Sequence, residues 1–374
     1  MFSFFSHTKE GKRNIILDIQ SGLVRGALVI ENEDKSSIIL SVVTKSIPAT
    51  TRILNGVHLT KRILKLVIAV VEHLAKDAGG RPISTIHYIL SSPWISSQLK
   101  TVKADYKKET DINSYALADL IKSDIRQETG TDMLRIEQKI FEIKLNGYTT
   151  ATLNSKKAHM LEASLATSFG SKVFLDKLHS AVEGVVTVRA STYNSALLMQ
   201  YAALREILAD KHEYMYIHVH SELTDIVIVK NGLCKHIASF PFGIATFLRK
   251  ITNMTGQSME SSDSLLSLFQ GGKLSEAEKV SVQQIIEPLL HEWGEACMKS
   301  FASSFDVTAV PRTAYLSAHS HFDLFKEALL LHSNLNLSVI PYDSVISEDH
   351  VSFEKNSSQS TMMRMYTLAL RTVL

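Results

Sequence analysis

Two pairs of histidines share one spacing: His218 with His220, and His319 with His321. Residues two apart on a strand point to the same face. Four imidazoles converging on one cleft would be a donor set for zinc or another borderline-soft metal. The plainer reading is that these rings fill space and hydrogen-bond to backbone. No cysteine or carboxylate pattern reinforces a metal site, so packed histidines are the favoured account. Nucleophilic chemistry is poorly supported. Ser91-Ser92-Pro93 and Ser96-Ser97 lack the Gly-x-Ser-x-Gly elbow. Cys234 falls on a predicted hairpin strand and Cys297 inside a predicted helix, where cysteine acts as a small buried hydrophobe.

Positioning these side chains requires strands and turns. Residues 214–220 and 225–230 read as strands joined by a polar turn at 221–224, and Asn231-Gly232 signals a second hairpin before a third strand and a helix at 244–255. Upstream, 14–19 and 23–31 form a hairpin around Gln20-Ser21-Gly22, and 36–46 is a third strand. A helix spans 60–78 with Thr60 as its N-cap, and 83–90 is a strand. The texture then changes. A strand at 96–103 precedes a charged stretch, a helix covers 112–128 and stops at Gly130, and strands at 137–145 and 148–153 flank Asn146-Gly147. The segment 158–169 reads as strand or helix, and 172–182 as helix. The last third returns to α/β alternation, with helices at 196–209, 261–269, 276–303, 321–331 and 361–374 and strands at 313–316 and 337–341. The weakest order is expected at 344–360.

Composition excludes several classes. With 45% hydrophobic residues over 374 positions the chain can bury a sizeable core of two or three domains. A formal charge of +2 gives no global field for nucleic acid or an anionic membrane. Lys100, Lys103, Lys107 and Lys108 are offset by Asp105, Glu109 and Asp111, so they read as a solvated face. Two cysteines make no disulfide framework and fit a reducing compartment. No window reaches the ~18 apolar residues of a membrane span. The start of the chain has its aromatics, Phe2, Phe4 and Phe5, before its basic residues, which is not a secretory signal.

The order hairpin, small inserted domain, hairpin, long helix and strand-turn-helix resembles the FtsA/PilM-like branch of the actin-fold ATPase superfamily, known from type IV pilus assembly and cell-division platforms. Three runs carry the resemblance. Leu17-Asp18-Ile19-Gln20-Ser21-Gly22-Leu23-Val24-Arg25-Gly26-Ala27-Leu28 is similar to the first phosphate loop. Phe141-Glu142-Ile143-Lys144-Leu145-Asn146-Gly147-Tyr148 is similar to the strand and turn of the inserted domain. Ser239-Phe240-Pro241-Phe242-Gly243, followed by a helix, is similar to the run after the second loop. The resemblance implies an α/β, actin-like (ribonuclease H-like) two-half fold. Residues 1–93 and 186–374 would form the actin-like core, and 94–185 a small SHS2-type α+β insertion.

The resemblance also implies a degenerate nucleotide site at Asp18, Gln20, Ser21, His218, His220, Thr224, Asp225, Ala318 and His319. Gln20 and His220 stand where the family has glycine, placing a side chain where backbone would approach phosphate. His218 replaces the aspartate that orients metal and water, and Ala318-His319 replaces the Gly-Gly pair against the nucleotide. Each lost group commonly costs ~10² in rate, so no ATP turnover and no cofactor are expected. ATP and Mg binding through Ser21, Thr224 and loop amides is the alternative, and Asp18 also reads as a structural turn cap.

The implied role is an inert cytoplasmic scaffold that reaches the membrane through the tail of a membrane protein. Phe141, Ile143 and Leu145 are expected on one face of the inserted hairpin and Glu142 and Lys144 on the other, with Tyr148 beyond the turn. These four apolar positions are the predicted partner site, through strand addition or apolar anchors. Self-association through the insertion is the alternative. Residues 361–374 are apolar almost all round, which fits a buried closing helix more than a lipid-surface helix.

Overall fold

The computed structural model describes residues 11–374 apart from 35, 49, 52–54, 126–131, 154–155, 303–309, 333–335, 348–350, 355–358 and 374. Phe2, Phe4 and Phe5, and the predicted stop at Gly130, lie outside the described residues. The chain opens with β1 (Lys12–Ile19), β2 (Leu23–Glu31) and β3 (Ser37–Ser46), then α1 (Gly56–Asp77) and β4 (Ile83–Leu90). Helix α1 starts a turn before the predicted Thr60 cap because Asn55 Oδ1 accepts the His58 amide at 2.9 Å. The Thr60 hydroxyl instead donates back to the Gly56 carbonyl at 2.7 Å.

The next segment holds β5 (Ile95–Ile112), α2 (Ser114–Ile125), β6 (Met133–Leu145), β7 (Tyr148–Thr149), β8 (Lys156–Ser171) and α3 (Lys172–Glu183). The charged stretch after residue 103 continues β5 across a bulge between Asp105 and Thr110, since its charges face solvent while Val102 and Ile112 turn inward. Residues 158–169 are strand, and pairing after Tyr148 ends at Thr149. The strands form one antiparallel sheet in the order β5-β8-β6-β7, with its own core of Val102, Leu117, Leu145, Leu161 and Leu165. Asn146 and Gly147 both take positive φ, 51° and 84°, as a two-residue hairpin turn requires. Helix α3 leaves this core and packs with α1 on the first half, where Trp94 stacks on Phe174 at 4.3 Å between ring centroids.

The remainder runs β9 (Val188–Ser195), α4 (Ala196–Ile207), β10 (Tyr214–Val219), β11 (Thr224–Lys230), β12 (Leu233–Phe240), α5 (Ile244–Thr255), α6 (Met259–Gln270) and α7 (Glu276–Ala302). It ends with β13 (Thr313–Ala318), α8 (Phe322–His332), β14 (Ser338–Pro341), β15 (Ser352–Phe353) and α9 (Thr361–Val373). Strand β9 is unanticipated, because VRASTYNS lacks apolar alternation; it pairs parallel to β4.

Two further sheets result, β15-β3-β2-β1-β4-β9 and β12-β11-β10-β13-β14. Period-two alternation dictates their layering. In β1, Ile15, Leu17 and Ile19 face α1 and α3, while Ile16 faces α4 and α9. In β10, Met215, Ile217 and Val219 face α5 to α8, while Tyr214 and Tyr216 face α4 and α9. Helices α4 and α9 are therefore a middle layer between the sheets, and α9 is buried throughout Met362–Leu370. The alternation also aims Asp18 and His218 toward this middle layer from the C-terminal ends of two central strands.

Gly26, in mid-β2, is covered so closely by α1 that a Cβ there would collide with Val70 and Leu74. Gly26→Ala is expected to cost about 1–3 kcal/mol by overpacking, measured as a lower urea midpoint.

Candidate functional site

Strands β1 and β10 end side by side at the boundary of the two halves, and the turns that follow them are alike. The Gln20 amide donates to the Leu23 carbonyl at 3.0 Å, and the His220 amide to the Leu223 carbonyl at 2.8 Å. Side chains then cross the boundary. Asp18, fully buried, accepts from Arg25 Nη1 at 3.2 Å and from Gln20 Nε2 at 2.9 Å. Gln20 Oε1 meets His220 Nδ1 at 3.1 Å, and His220 Nε2 meets Asp225 Oδ2 at 2.8 Å. The Ser239 hydroxyl donates to the other Asp225 oxygen. Because the Gln20 amide nitrogen is committed to a carboxylate, its oxygen faces the ring, and His220 Nδ1 carries the hydrogen of that bond.

His218 stacks on His220 with ring centroids 4.0 Å apart, and its Nδ1 lies 3.2 Å from Gln200 Nε2 on α4. The same Gln200 nitrogen lies 2.9 Å from the Tyr366 hydroxyl of α9. Burial, with His220 and Arg25 adding to it, holds the His218 imidazole well below the ordinary histidine range, so it is neutral. Burial pushes the Asp18 carboxyl up, against the pull of Arg25 and Gln20.

The backbone of the two turns meets directly. Ser21 Oγ accepts the Glu222 amide at 3.3 Å, and a Cβ on Gly22 would collide with Ser221. The first amides of α5 are also spent, Ile244 on the His220 carbonyl at 3.0 Å and Ala245 on the Ser221 carbonyl at 2.7 Å. Thr224 turns away from the boundary: its hydroxyl donates to the Phe242 carbonyl at 2.7 Å and accepts from Trp293 Nε1 at 3.1 Å. The amides of Gln20, His220, Glu222, Ile244 and Ala245 and the Thr224 hydroxyl are thus committed to protein oxygens rather than to a phosphate.

The third predicted element is only partly in this cluster. Ala318 lies opposite Val219, and exposed His319 borders a cavity of about 280 Å³ between the halves with Gln20, Gly22, His220 and Ser221. His321, at φ 56°, is held elsewhere, its ring nitrogens 2.6 Å from Gln270 Oε1 and 2.7 Å from Asp263 Oδ1 on α6. The four histidines therefore do not converge, and among the described residues no group of three or more His, Cys, Asp or Glu is arranged to hold a metal. Sequence reading missed Arg25 and Gln200. Arg25 sits directly across the hairpin from Asp18, a pair that follows once the turn fixes the register. Gln200 is the lone polar residue of the run Ala196–Ala203 apart from Tyr201.

The four predicted partner positions divide. A bulge in β6 leaves Phe141 out of register, between Ile140 opposite Leu165 and Glu142 opposite Ser164. Phe141, Ile143 and Leu145 consequently share no apolar face. Phe141 packs edge-on to Tyr201 of α4 with centroids 5.1 Å apart, Ile143 and Leu145 join the core of the small sheet, and Tyr148 is exposed. Phe141 divides two surface cavities. One, of about 520 Å³, includes Leu99, Glu142, Lys144 and Lys235; the other, of about 570 Å³, includes Ile140, Leu198, Tyr201 and Arg205.

No protein-family model and no curated protein matches this sequence. The two open sheets, their middle helices and the paired turns define an actin-like fold, and the chain is similar to solved structures to differing degrees. A chain of the PilM-PilN type IV pilus biogenesis complex matches with a TM-score of 0.64 at 11% identity, over 98% of this chain and 98% of that one. The ethanolamine utilization protein EutJ from Carboxydothermus hydrogenoformans matches with a TM-score of 0.47 at 8% identity, over 97% of this chain and 91% of that one. A protein of Bacteroides thetaiotaomicron with an actin-like ATPase fold matches with a TM-score of 0.41 at 11% identity, over 98% and 99% of the two chains. Among the described residues no helix is long and apolar enough to cross a membrane.

Two outcomes follow from this site. Gln20→Ala strands the hydrogen of His220 Nδ1 and removes a donor from Asp18, and is expected to cost about 1–3 kcal/mol in denaturant unfolding. Acid should destabilise the fold through its buried histidines. His87, bonded to Thr192 Oγ1 at 2.9 Å, is lowered by burial from 6.5 to about 4, and His218 is lowered as well. A histidine lowered in the folded state binds fewer protons there than in the unfolded chain. Its stabilising contribution is complete above about pH 6.5 and drains as pH falls toward the folded value, ~2 kcal/mol by pH 5 for His87. His87→Gln should shrink the difference between the unfolding free energies at pH 7 and pH 5 by about that amount, while the raised carboxyls of Asp18 and Glu137 pull the other way in parent and variant alike.

Proposed function

We propose that this chain is a catalytically inert, actin-like cytoplasmic scaffold that holds the tail of a membrane protein in a pilus-assembly or cell-division complex. One observation carries the inert half of this reading: the two turns that would flank a nucleotide's phosphates touch each other instead. Gln20 binds His220, Ser21 binds the Glu222 amide, and Gly22 abuts Ser221. Phosphoryl transfer rests on positioned charge and donors, and here the amides of Gln20, His220, Glu222, Ile244 and Ala245 are spent on protein acceptors. The likeness in fold to a chain of a pilus biogenesis complex supports the scaffold half.

The tail is assigned to the groove beside Phe141, where the small sheet meets α4 and β12. An aromatic anchor at its centre, with Leu99, Ile140 and Leu198 along it and Lys144, Lys235 and Arg205 at its edges, suits an extended peptide with apolar side chains. Tyr148, exposed and distant from the groove's lining, is left out of the assignment.

Melting with and without Mg-ATP tests the first half. A ligand at 100 times its dissociation constant adds about 2.7 kcal/mol to the native state, so an unchanged melting temperature at millimolar Mg-ATP is expected, and a rise of several degrees would sink the inert reading. For the second half, the membrane protein that co-purifies with the full chain should be lost on Phe141→Asp with an unchanged circular dichroism spectrum. Retention by that variant would move the site elsewhere.

A further inference from the structure

The groove beside Phe141 is more positive than the chain as a whole. Over the full sequence lysine and arginine nearly balance aspartate and glutamate, 40 against 38. Along the two cavities that Phe141 divides, six lysines and arginines stand against three glutamates. The excess has a centre. Lys144 of β6 and Lys235 of β12 approach the same oxygen of one carboxylate, Glu142 Oε2, each at 3.4 Å, while the Thr149 hydroxyl donates to Oε1 at 2.8 Å. Burial pushes the Glu142 carboxyl up, but Thr149, Lys235 and Lys144 together hold it below its ordinary range, so it is ionised. One negative charge thus answers two positive ones, and both ammonium groups sit at the long end of hydrogen-bond range. Each lysine keeps 34% of its side-chain surface exposed and Glu142 only 9%, so an arriving chain meets the cations first. In the same cavity Lys103 is matched one to one by Glu162.

The surroundings suit an extended chain. Leu99, Leu165 and Leu233 line this cavity with Phe141. Strand β12 stands at the end of its sheet, and its first residues, Leu233 to Lys235, form part of the wall. An extended segment lying there turns alternate side chains to the apolar lining and to the lysines.

We propose that the tail bound in this groove carries an acidic side chain, aspartate or glutamate, seated between Lys144 and Lys235 and flanked by apolar residues that pack beside Phe141. This rests on the reading of the groove as a tail site and adds the charge of its occupant. A carboxylate there gives two anions to two cations. It also fixes which part of the tail is held. The cytoplasmic flanks of membrane spans are rich in lysine and arginine, which this centre repels, so the bound segment is set apart from the span.

The test is selection from a random peptide library on the immobilised full chain, followed by titration of the peptides recovered. The parent is expected to enrich peptides with aspartate or glutamate between apolar residues, and their binding should weaken as salt rises. Lys144→Gln and Lys235→Gln should each weaken them about fivefold with little change in melting temperature. The control Lys279→Gln, on α7, should bind as the parent does. Enriched peptides without acidic preference, or equal binding of an acidic peptide by the parent and the double lysine variant, overturn the acidic site and leave the groove standing. Absence of any enriched peptide, or undiminished binding by a folded Phe141→Asp variant, overturns the groove reading as well. Dimerisation of the full chain that Phe141→Asp abolishes would give the groove to a second copy and likewise overturn the proposal.

Discussion

The hydrogen bond between His220 Nδ1 and Gln20 Oε1 joins side chains 200 residues apart in sequence, and the arrangement of the two halves turns on it. It is one link in a buried series from Arg25 through Asp18, Gln20, His220 and Asp225 to Ser239. Every member has its partner supplied by a neighbour in the series, so removing an interior member strands two groups in a low-dielectric interior. The halves are thereby held by a polar seam at their strand ends and by apolar packing on α4 and α9 beneath it.

The seam also exposes an internal likeness. Asp18, Gln20, Ser21 and Leu23 stand at the end of β1 as His218, His220, Ser221 and Leu223 stand at the end of β10, with equivalent turn hydrogen bonds. Each strand has an antiparallel hairpin partner on one side and a parallel strand, β4 or β13, on the other. The strand-end residues are thus brought together by repetition of one βββ arrangement in each half, while the polar side chains at equivalent positions have diverged to complement each other.

Much of this was legible from residue order because the strands and helices of the halves have strong periods. β2, β4 and α5 fall where alternation and spacing place them, and the turns at Gln20-Ser21-Gly22, Asn146-Gly147 and Asn231-Gly232 carry a glycine at the bend. What escaped prediction depended on tertiary partners. β9 is polar and is a strand only because β4 offers it a parallel edge. The end of β1 revealed Asp18 but not its Arg25 partner until the register was known. Phe141 misled because alternation assumes an unbroken strand, and the β6 bulge turns its ring to Tyr201. Thr224 misled because a hydroxyl at a strand end looks available, yet Trp293, 69 positions away, claims it.

The small sheet is not merely appended. Glu137 on β6 reaches back into the core and accepts the Ser195 amide at 2.9 Å, at the start of α4, whose own Ser195 side chain makes no cap. A carboxylate there complements the positive end of the helix. Helix α4 and its neighbour α9 then have an implication for how the chain is made. The inner face of the first sheet, including Ile16, Ala27, Val29 and Ile39, is covered by residues that include Met363 and Leu370. During synthesis α4 is available to this face first, and the part that α9 covers stays apolar and open until residues 361–370 have been made. Its strands can pair early, but they acquire α9 last, so a ribosome stalled before residue 361 would display a sheet that chaperones recognise as unfinished.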